Sequence, residues 1–296
     1  MVSNSGSSDR GVIVVTGASS GLGRATALHL AEKGFTVIAG VRSATVATEL
    51  QHLSDRLIPV QLDVTSDDDV AAARDTIAEA VGPGGLLGLV NNAGICVSAP
   101  LECVSAADLR NQLNVNVIGA MAVTSALLPL LRAGTKRNGV AGRIVNVSSG
   151  IGKIAPPFLG AYAATQFAKE GLSDSLRREL AGTGVSVSIV EPGAIFTPIW
   201  GKVSDTSDRI LDQAPPEVAE VYRKRFTAFV ALNDKRAKAS KTQPAEFATA
   251  VEHAMTARTP KIRYRVGVDS RTSSLAARVI PDVVLDAVLA RASAGK

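Results

Sequence analysis

Val12–Thr16 is a short, unbroken apolar run that ends directly on a turn carrying Gly17, Gly21 and Gly23, and a segment with helical spacing (Leu22, Ala25, Thr26, His29, Leu30) follows at once. An apolar run without alternation suits a strand covered on both faces. The same succession repeats down the chain. Strands are expected over 35–41, 57–62, 86–90, 143–147 and 185–190, with helices over about 22–33, 44–54, 67–81, 106–133 and 160–181 between them. Strands that alternate with helices lie parallel, joined by right-handed crossovers that cover both sheet faces. The expected fold class is therefore α/β: a Rossmann-type doubly wound parallel sheet of about seven strands with a C-terminal helical extension.

After Pro192 the pattern loosens. Residues 197–242 are more polar and contain Pro215-Pro216; 244–257 read as a helix, 262–268 as a last strand, and 271–292 as a terminal helix interrupted by Pro281. No repeat and no long linker divides the chain. The organisation expected is a flexible 1–10, then one domain over 11–296, with 194–242 as a substrate loop or lid and 243–296 as a C-terminal extension.

The glycine turn carries chemistry. Glycines here permit a tight turn, close approach of backbone to a pyrophosphate, and close helix packing, while the helix start points free N–H groups at the phosphates. The strand before and the helix after make a dinucleotide the natural ligand of Gly17, Ser19, Ser20, Gly21, Leu22 and Gly23.

Composition narrows the alternatives. Hydrophobic residues make up 46% of the chain and aromatics 4%, so a large core must be mostly aliphatic. No contiguous apolar run reaches the ~18–20 residues of a membrane helix, and the polar start lacks a signal-peptide core, so a cytoplasmic protein without a transmembrane segment is expected. Cys96 and Cys103 give no reason to expect a bridge. His29, His52 and His253 lack metal spacing and read as helix-surface residues; no metal is expected. The net charge of +5 comes from residues 202–296, but those charges are scattered and lack interleaved aromatics, so no nucleic-acid partner is expected.

The spacing Thr16-Gly17-Ala18-Ser19-Ser20-Gly21-Leu22-Gly23 is followed by Asp63-Val64, Asn91-Asn92-Ala93-Gly94, Asn116, Ser148-Ser149, Tyr162 and Pro192-Gly193, in that order across about residues 11–200. In these motifs the chain resembles the short-chain dehydrogenase/reductases. Through Gly171-Leu172-Ser173-Asp174-Ser175-Leu176-Arg177 and Glu191-Pro192-Gly193 it also resembles their hydroxysteroid and retinol dehydrogenase branch. The resemblance implies an oxidoreductase that interconverts a carbonyl and an alcohol by hydride transfer. It implies cofactor contacts from the glycine turn, Asp63, Val64, Asn92, Ala93, Gly94, Pro192, Gly193, Ile195 and Thr197, with Tyr162 and position 166 on the ribose. Asp63 is expected at the adenine, with a plain helix N-cap as its competing role. The family's acid after the second strand, which marks NAD, is Val41 here, and Arg42 follows it. A guanidinium suits a 2′-phosphate, so NADP(H) is favoured and NAD(H) stays possible.

The resemblance also implies the catalytic set: Tyr162 as acid/base, Ser149 polarising the carbonyl, and Asn116 holding a relay water. The lysine that lowers the tyrosine pKa in the family's YxxxK pattern is Gln166 here. Glutamine can bond a ribose hydroxyl but brings no charge. Three readings stay open: a working reductase that tolerates Gln166, a cofactor-binding pseudoenzyme with a regulatory or scaffolding role, or an engineered inactive variant. Lys169, one turn on, is expected to be a solvated helix-face residue, with an ammonium that reaches back toward the site as the alternative. Ile95, Val97, Ile151, Ile154, Phe158, Leu159, Ile195, Phe196, Ile199 and Trp200 make the expected substrate pocket apolar, which fits a hydrophobic small molecule, although half of them could be core. The helices over 106–133 and 160–181 suggest a homodimer or homotetramer.

Overall fold

The computed structural model describes residues 10–138 and 142–293; the expectation for residues 1–10 therefore falls, Arg10 apart, outside the described residues. Seven parallel strands form one sheet in the order β3-β2-β1-β4-β5-β6-β7. They are β1 (Val12–Thr16), β2 (Thr36–Val41), β3 (Leu57–Gln61), β4 (Gly88–Asn91), β5 (Gly142–Val147), β6 (Val185–Pro192) and β7 (Arg263–Val266). The order reverses between β1 and β4, and in such sheets the crevice at that point, at the carboxyl ends of the strands, receives ligands. One face is packed by α1 (Gly21–Glu32) and α9 (Pro244–Thr256); the other by α3 (Asp67–Val81), α5 (Gly119–Asn138) and α6 (Gly160–Glu179). Both cores are aliphatic, with Phe35 and Phe247 the largest fully buried side chains.

Several boundaries differ from the sequence reading. The fourth strand begins at Gly88: Leu86 N–H donates to Leu130 O of α5 at 3.0 Å, whereas Leu87 already bonds Val12 O and Arg143 N of the flanking strands, both at 2.9 Å. The helix expected over 106–133 is α4 (Ala106–Leu113), a five-residue π-helical stretch (Asn114–Ile118) and α5. Together Ala106–Thr135 is long and apolar enough, by length and composition, to cross a membrane, although polar residues break its apolar runs. Its inner face, Val123, Leu127 and Leu131, is buried against the sheet. The polar stretch after Pro192 is two helices, α7 (Ile199–Gln213) and α8 (Pro216–Lys238). They enclose a third core with Phe158, whose ring stands edge-on to Phe226 and Phe229. Phe158 sits at φ 66°, in the left-handed region that non-glycine residues seldom adopt. The remaining elements are α2 (Ala44–Leu53), α10 (Val268–Val279) and α11 (Asp282–Ser293), the last two separated at Pro281 as the sequence suggested.

His29 is half-buried rather than a surface residue: its Nε2 meets Glu252 Oε2 at 2.7 Å, tying α1 to α9. His253 is exposed, as expected, with Nδ1 2.9 Å from the Tyr264 hydroxyl. Both cysteines are free.

The start of α10 returns to the carboxyl end of β6. Asp269 accepts from Ala194 N at 2.5 Å, and Ser270 Oγ donates to Glu191 O at 2.7 Å. A side chain at Gly193 would collide with the Asp269 carboxylate, so glycine is required for this approach. Removing one partner of a charge-assisted bond costs about 1.5–3 kcal/mol. Asp269→Ala should therefore lower stability by about that amount and speed amide exchange at Ala194; a loss of stability with unchanged exchange there would contradict the latch.

Candidate active site

The glycine turn is laced to the end of β4. Thr16 Oγ1 accepts from Asn92 N at 3.1 Å and Ala93 N at 3.0 Å, and donates to Val90 O at 3.4 Å. Asn92 Nδ2 returns two bonds, to Thr16 O at 3.0 Å and Gly17 O at 3.2 Å. Gly17 (φ 65°) and Gly21 (φ 56°) take conformations that L side chains avoid. A Cβ on Gly17 would lie 2.9 Å from Ala93 Cα, and one on Gly23 would collide with Gly17 O and the Asn92 amide. Ser20 is the N-cap of α1 but makes no side-chain cap, and the first turn carries no acid. The helix start therefore keeps free N–H groups and its positive end for an anion. Thr197, from the loop after β6, faces Gly21 across this turn; a Cβ there would stand 3.4 Å from Thr197 Cβ.

Arg42 extends from the end of β2, 68% exposed, with Asp63 Oδ2 at 3.8 Å as a loose partner. Asp63 Oδ1 accepts from Thr65 N at 2.9 Å and Thr65 Oγ1 at 2.7 Å, and the Thr65 amide bond is the main reason its pKa is lowered. The competing N-cap role is not its own: Ser66 caps α3 through Asp69 N. Val64 is buried against the start of α5, where a Cβ on Gly119 would meet it.

On the other side of the crevice, Tyr162 and Gln166 occupy successive turns of α6. The Ser149 hydroxyl, which follows β5 and accepts from Ile151 N at 3.3 Å, lies beside the Tyr162 phenol. Burial pushes the phenol pKa well above its usual value; the neighbouring Cys96 thiol adds to this and the Ser149 hydroxyl opposes it. Burial likewise pushes the Cys96 thiol up to about 12. Asn116 is 1% exposed within the π-helical stretch. Its Oδ1 accepts from Ile95 N at 2.9 Å, and its Nδ2 donates to Ile95 O at 2.9 Å and Thr165 Oγ1 at 3.1 Å. Gln166 is 3% exposed; Nε2 reaches Thr165 Oγ1 at 3.4 Å, while buried Oε1 has no partner. A buried, unpartnered carbonyl oxygen is costly unless a donor reaches it. With the cradle of glycines and the uncapped α1, it is the arrangement a dinucleotide with ribose hydroxyls would complete.

Lys169 is not solvated. It is 5% exposed, and Nζ donates to Val147 O at 2.8 Å. The apolar wall is also smaller than expected: Val97 and Phe158 belong to the α7–α8 core, and Ile154 and Ile195 are buried, whereas Phe196 is 53% exposed and Ile199 half-buried to exposed. Trp200 Nε1 donates to Ile195 O at 2.9 Å. Sequence reasoning passed over Gln112, whose amide bonds Val97 N and Ile95 O, both at 2.6 Å. Gln112 and Asn116, four apart, grip the segment that sets Cys96 beside Tyr162. That i,i+4 amide pair was visible, but its partner segment was not. It also passed over Thr165 and Asp269, whose roles depend on contacts from distant parts of the chain.

The geometry is matched by comparison with known proteins. Residues 11–208 fit the family model for short chain dehydrogenases. The chain is 40% identical over 275 residues to the 3-amino-tetrahydro-pyrrolizinone reductase of Xenorhabdus hominickii, covering 93% of each. It is 36% identical over 281 residues to retinol dehydrogenase 7 of Mus musculus, covering 94% of this chain and 87% of that one. Among solved structures it is similar to a short chain dehydrogenase from Burkholderia cenocepacia in complex with NADP (TM-score 0.71, 25% identity, 95% and 98% covered). It is equally similar in sequence to a short chain dehydrogenase/reductase from Burkholderia phymatum in complex with NAD (TM-score 0.76, 25% identity, 94% and 95% covered). The chain is an oxidoreductase of the short-chain dehydrogenase/reductase family, in its retinol and hydroxysteroid dehydrogenase branch.

Proposed function

We propose that the protein reduces an apolar ketone or aldehyde with NADPH, with Tyr162 as the proton donor. The observation that carries this reading is the pairing of Tyr162 with Ser149 beside a buried Gln166 whose Oε1 lacks a partner. When bound, the reduced nicotinamide supplies the hydride. The chain's own residues do the rest. Ser149 and Tyr162 hydrogen-bond the substrate oxygen and hold it over the crevice, which orients the carbonyl for attack. Burial keeps the Tyr162 phenol protonated, which suits an acid better than a base. Gln166 Oε1 accepts from a ribose hydroxyl, and Asn116 keeps the segment after β4 in place. Reduction is therefore the favoured direction: the step that needs tyrosinate lacks the charge a lysine at 166 would bring.

Arg42 supports NADP(H), because an exposed guanidinium with one loose partner is free to pair with a 2′-phosphate. The relatives known with NADP and with NAD leave that choice to Arg42 itself. The exposed Phe196 and Ile199 support an apolar substrate, covered by residues 194–242. Ile118, Phe167 and Leu172, exposed on α5's entry and α6, support pairing of two copies.

Two measurements test this. A charge at close range and intermediate dielectric is worth about 1–4 kcal/mol. Gln166→Lys should therefore raise alcohol oxidation with NADP+ by roughly ten- to a thousandfold, and reduction by less. Tight NADPH binding without turnover of any ketone or aldehyde, in a protein that Gln166→Lys does activate, would replace the enzyme reading with that of a cofactor-binding pseudoenzyme. Arg42→Ala should raise KM for NADPH by roughly tenfold or more and leave KM for NADH unchanged; equal effects on both would overturn the NADP(H) preference.

A further inference from the structure

The turn that carries Ser149 is gripped at both ends by one buried carboxylate. Glu170 of α6 is 4% exposed. Ser148 Oγ donates to its Oε1 at 2.7 Å, and Lys153 Nζ lies 2.8 Å from its Oε2. Ser148 precedes Ser149, and Lys153 ends the one-turn helix Gly150–Lys153 that follows it. The two oxygens of a single side chain thus hold the chain on either side of the Ser149 hydroxyl. Arg263 of β7 fixes Glu170 in turn: its Nε donates to Oε2 at 2.9 Å, and its Nη2 donates to Asp174 Oδ2 at 2.9 Å. The packing around the turn is close. A Cβ on Gly152 would stand 3.1 Å from Glu170 Cγ, and one on Gly150 would stand 3.0 Å from Ser270 Cα at the start of α10. The turn is therefore clasped between α6 and α10, with Glu170 as its polar anchor.

Ions at such depth add little stability over apolar packing of the same volume. They do fix the groups they hold, because a buried charge that loses a partner is costly. We propose that Glu170 is a positioning residue for the reaction: by bracketing the turn through Ser148 and Lys153, it sets the Ser149 hydroxyl beside the Tyr162 phenol. It acts through those two residues and not on the reacting atoms. The inference rests on the reading of Ser149 as the group that polarises the carbonyl. A purely structural role is the competing one, in which Glu170 neutralises Lys153 and Arg263 and ties α6 to β7. The two roles differ in what Ser148 does. In the structural role its bond is dispensable, since both cations keep their carboxylate without it. In the positioning role it is one of the two grips on the turn. The dinucleotide cradle is built from other residues, Thr16, Gly17, Gly23 and Asn92, and draws no bond from Glu170. A misplaced Ser149 therefore costs turnover and not cofactor affinity.

The test compares the full-length protein with Ser148→Ala and Glu170→Gln. Amide hydrogen exchange, which needs neither substrate nor cofactor, is followed at Ile151 and Gly152, whose N–H groups donate to Ser149 Oγ at 3.3 Å and Ser149 O at 2.8 Å. Asn92 and Ala93, held by Thr16, are the internal control. NADPH binding is measured by calorimetric titration, and kcat by NADPH-dependent reduction of two apolar aldehydes, decanal and retinal. Ser148→Ala should exchange severalfold faster at Ile151 and Gly152, with the control amides unchanged. It should bind NADPH within about twofold of the wild type and lose roughly ten- to a hundredfold in kcat, the scale of loss when a catalytic group moves by about an ångström. Glu170→Gln should move every readout in the same direction. Wild-type exchange at Ile151 and Gly152 in Ser148→Ala, or wild-type kcat where that exchange has risen, would overturn the proposal. So would a fall in NADPH affinity as large as the fall in kcat, which marks a general loss of structure. If Glu170→Gln does not fold, Ser148→Ala decides alone. If the wild type reduces neither aldehyde, the reading of Ser149 fails, and the exchange rates still decide whether Glu170 anchors its turn.

Discussion

The Thr16 hydroxyl is the contact on which the rest of the site depends. It takes both amides that leave β4, Asn92 N and Ala93 N, and so fixes the glycine turn against the neighbouring strand at the point where the sheet order reverses. Asn92 closes the same junction from the other side. With the two strand exits joined, Gly17 and Gly23 can only be glycine, the start of α1 is held open, and Gly94 and Ile95 run on toward Tyr162. On our proposal, a cradle for phosphates and a seat for the reacting end of the cofactor are thereby set in one frame.

The second anchoring system is a buried polar one. Asn91 Nδ2 donates to Thr124 Oγ1 and Asn146 Oδ1, both at 2.8 Å, and Asn146 Nδ2 donates to Ser173 Oγ at 2.8 Å. This joins β4, β5, α5 and α6 beneath the catalytic face. Hydrogen-bonded networks in a low-dielectric interior hold one arrangement more sharply than aliphatic packing does, although Asn91 Oδ1 is itself buried without a partner. Asn116 continues the system upward, through Thr165 Oγ1, to the turn of α6 that carries Gln166. The π-helical stretch at Asn114–Ile118 gives Asn116 the rotation it needs to face both Ile95 and α6. The substitution at 166 thus sits in an intact frame, and the question it raises concerns charge rather than architecture.

Much of this was legible in the sequence, and for a physical reason. Buried parallel strands demand continuous apolar runs, and glycine turns at their exits demand particular residues, so β1 to β6 and the motif residues could be located along the chain. What escaped depends on contacts distant in sequence. Nothing local marks Asp269 as the residue that reaches Ala194, 75 positions earlier. Residues 197–242 read as a polar lid with a Lys/Arg-rich helical stretch; that they form two helices closing a core on Phe158 depends on contacts the local pattern does not show. Lys169 was read as solvated because lysine usually is, and a helical face shared with Tyr162 does not reveal whether it points inward. Asp63 and Arg42 were placed at the adenine end by motif alone; their mutual pairing is a matter of geometry.

On our proposal, the junction of the glycine turn with the end of β4 makes the dinucleotide site. Thr16→Val tests it most directly, because it keeps the volume and removes the oxygen that both amides share. Ala93 N loses its acceptor, at a cost of about 1–3 kcal/mol, while Asn92 N keeps Val90 O at 3.0 Å. Calorimetric titration with NADPH should show binding to the wild type and binding at least about tenfold weaker to Thr16→Val, in a protein that still folds. Equal affinities, or no binding by the wild type, would contradict the account.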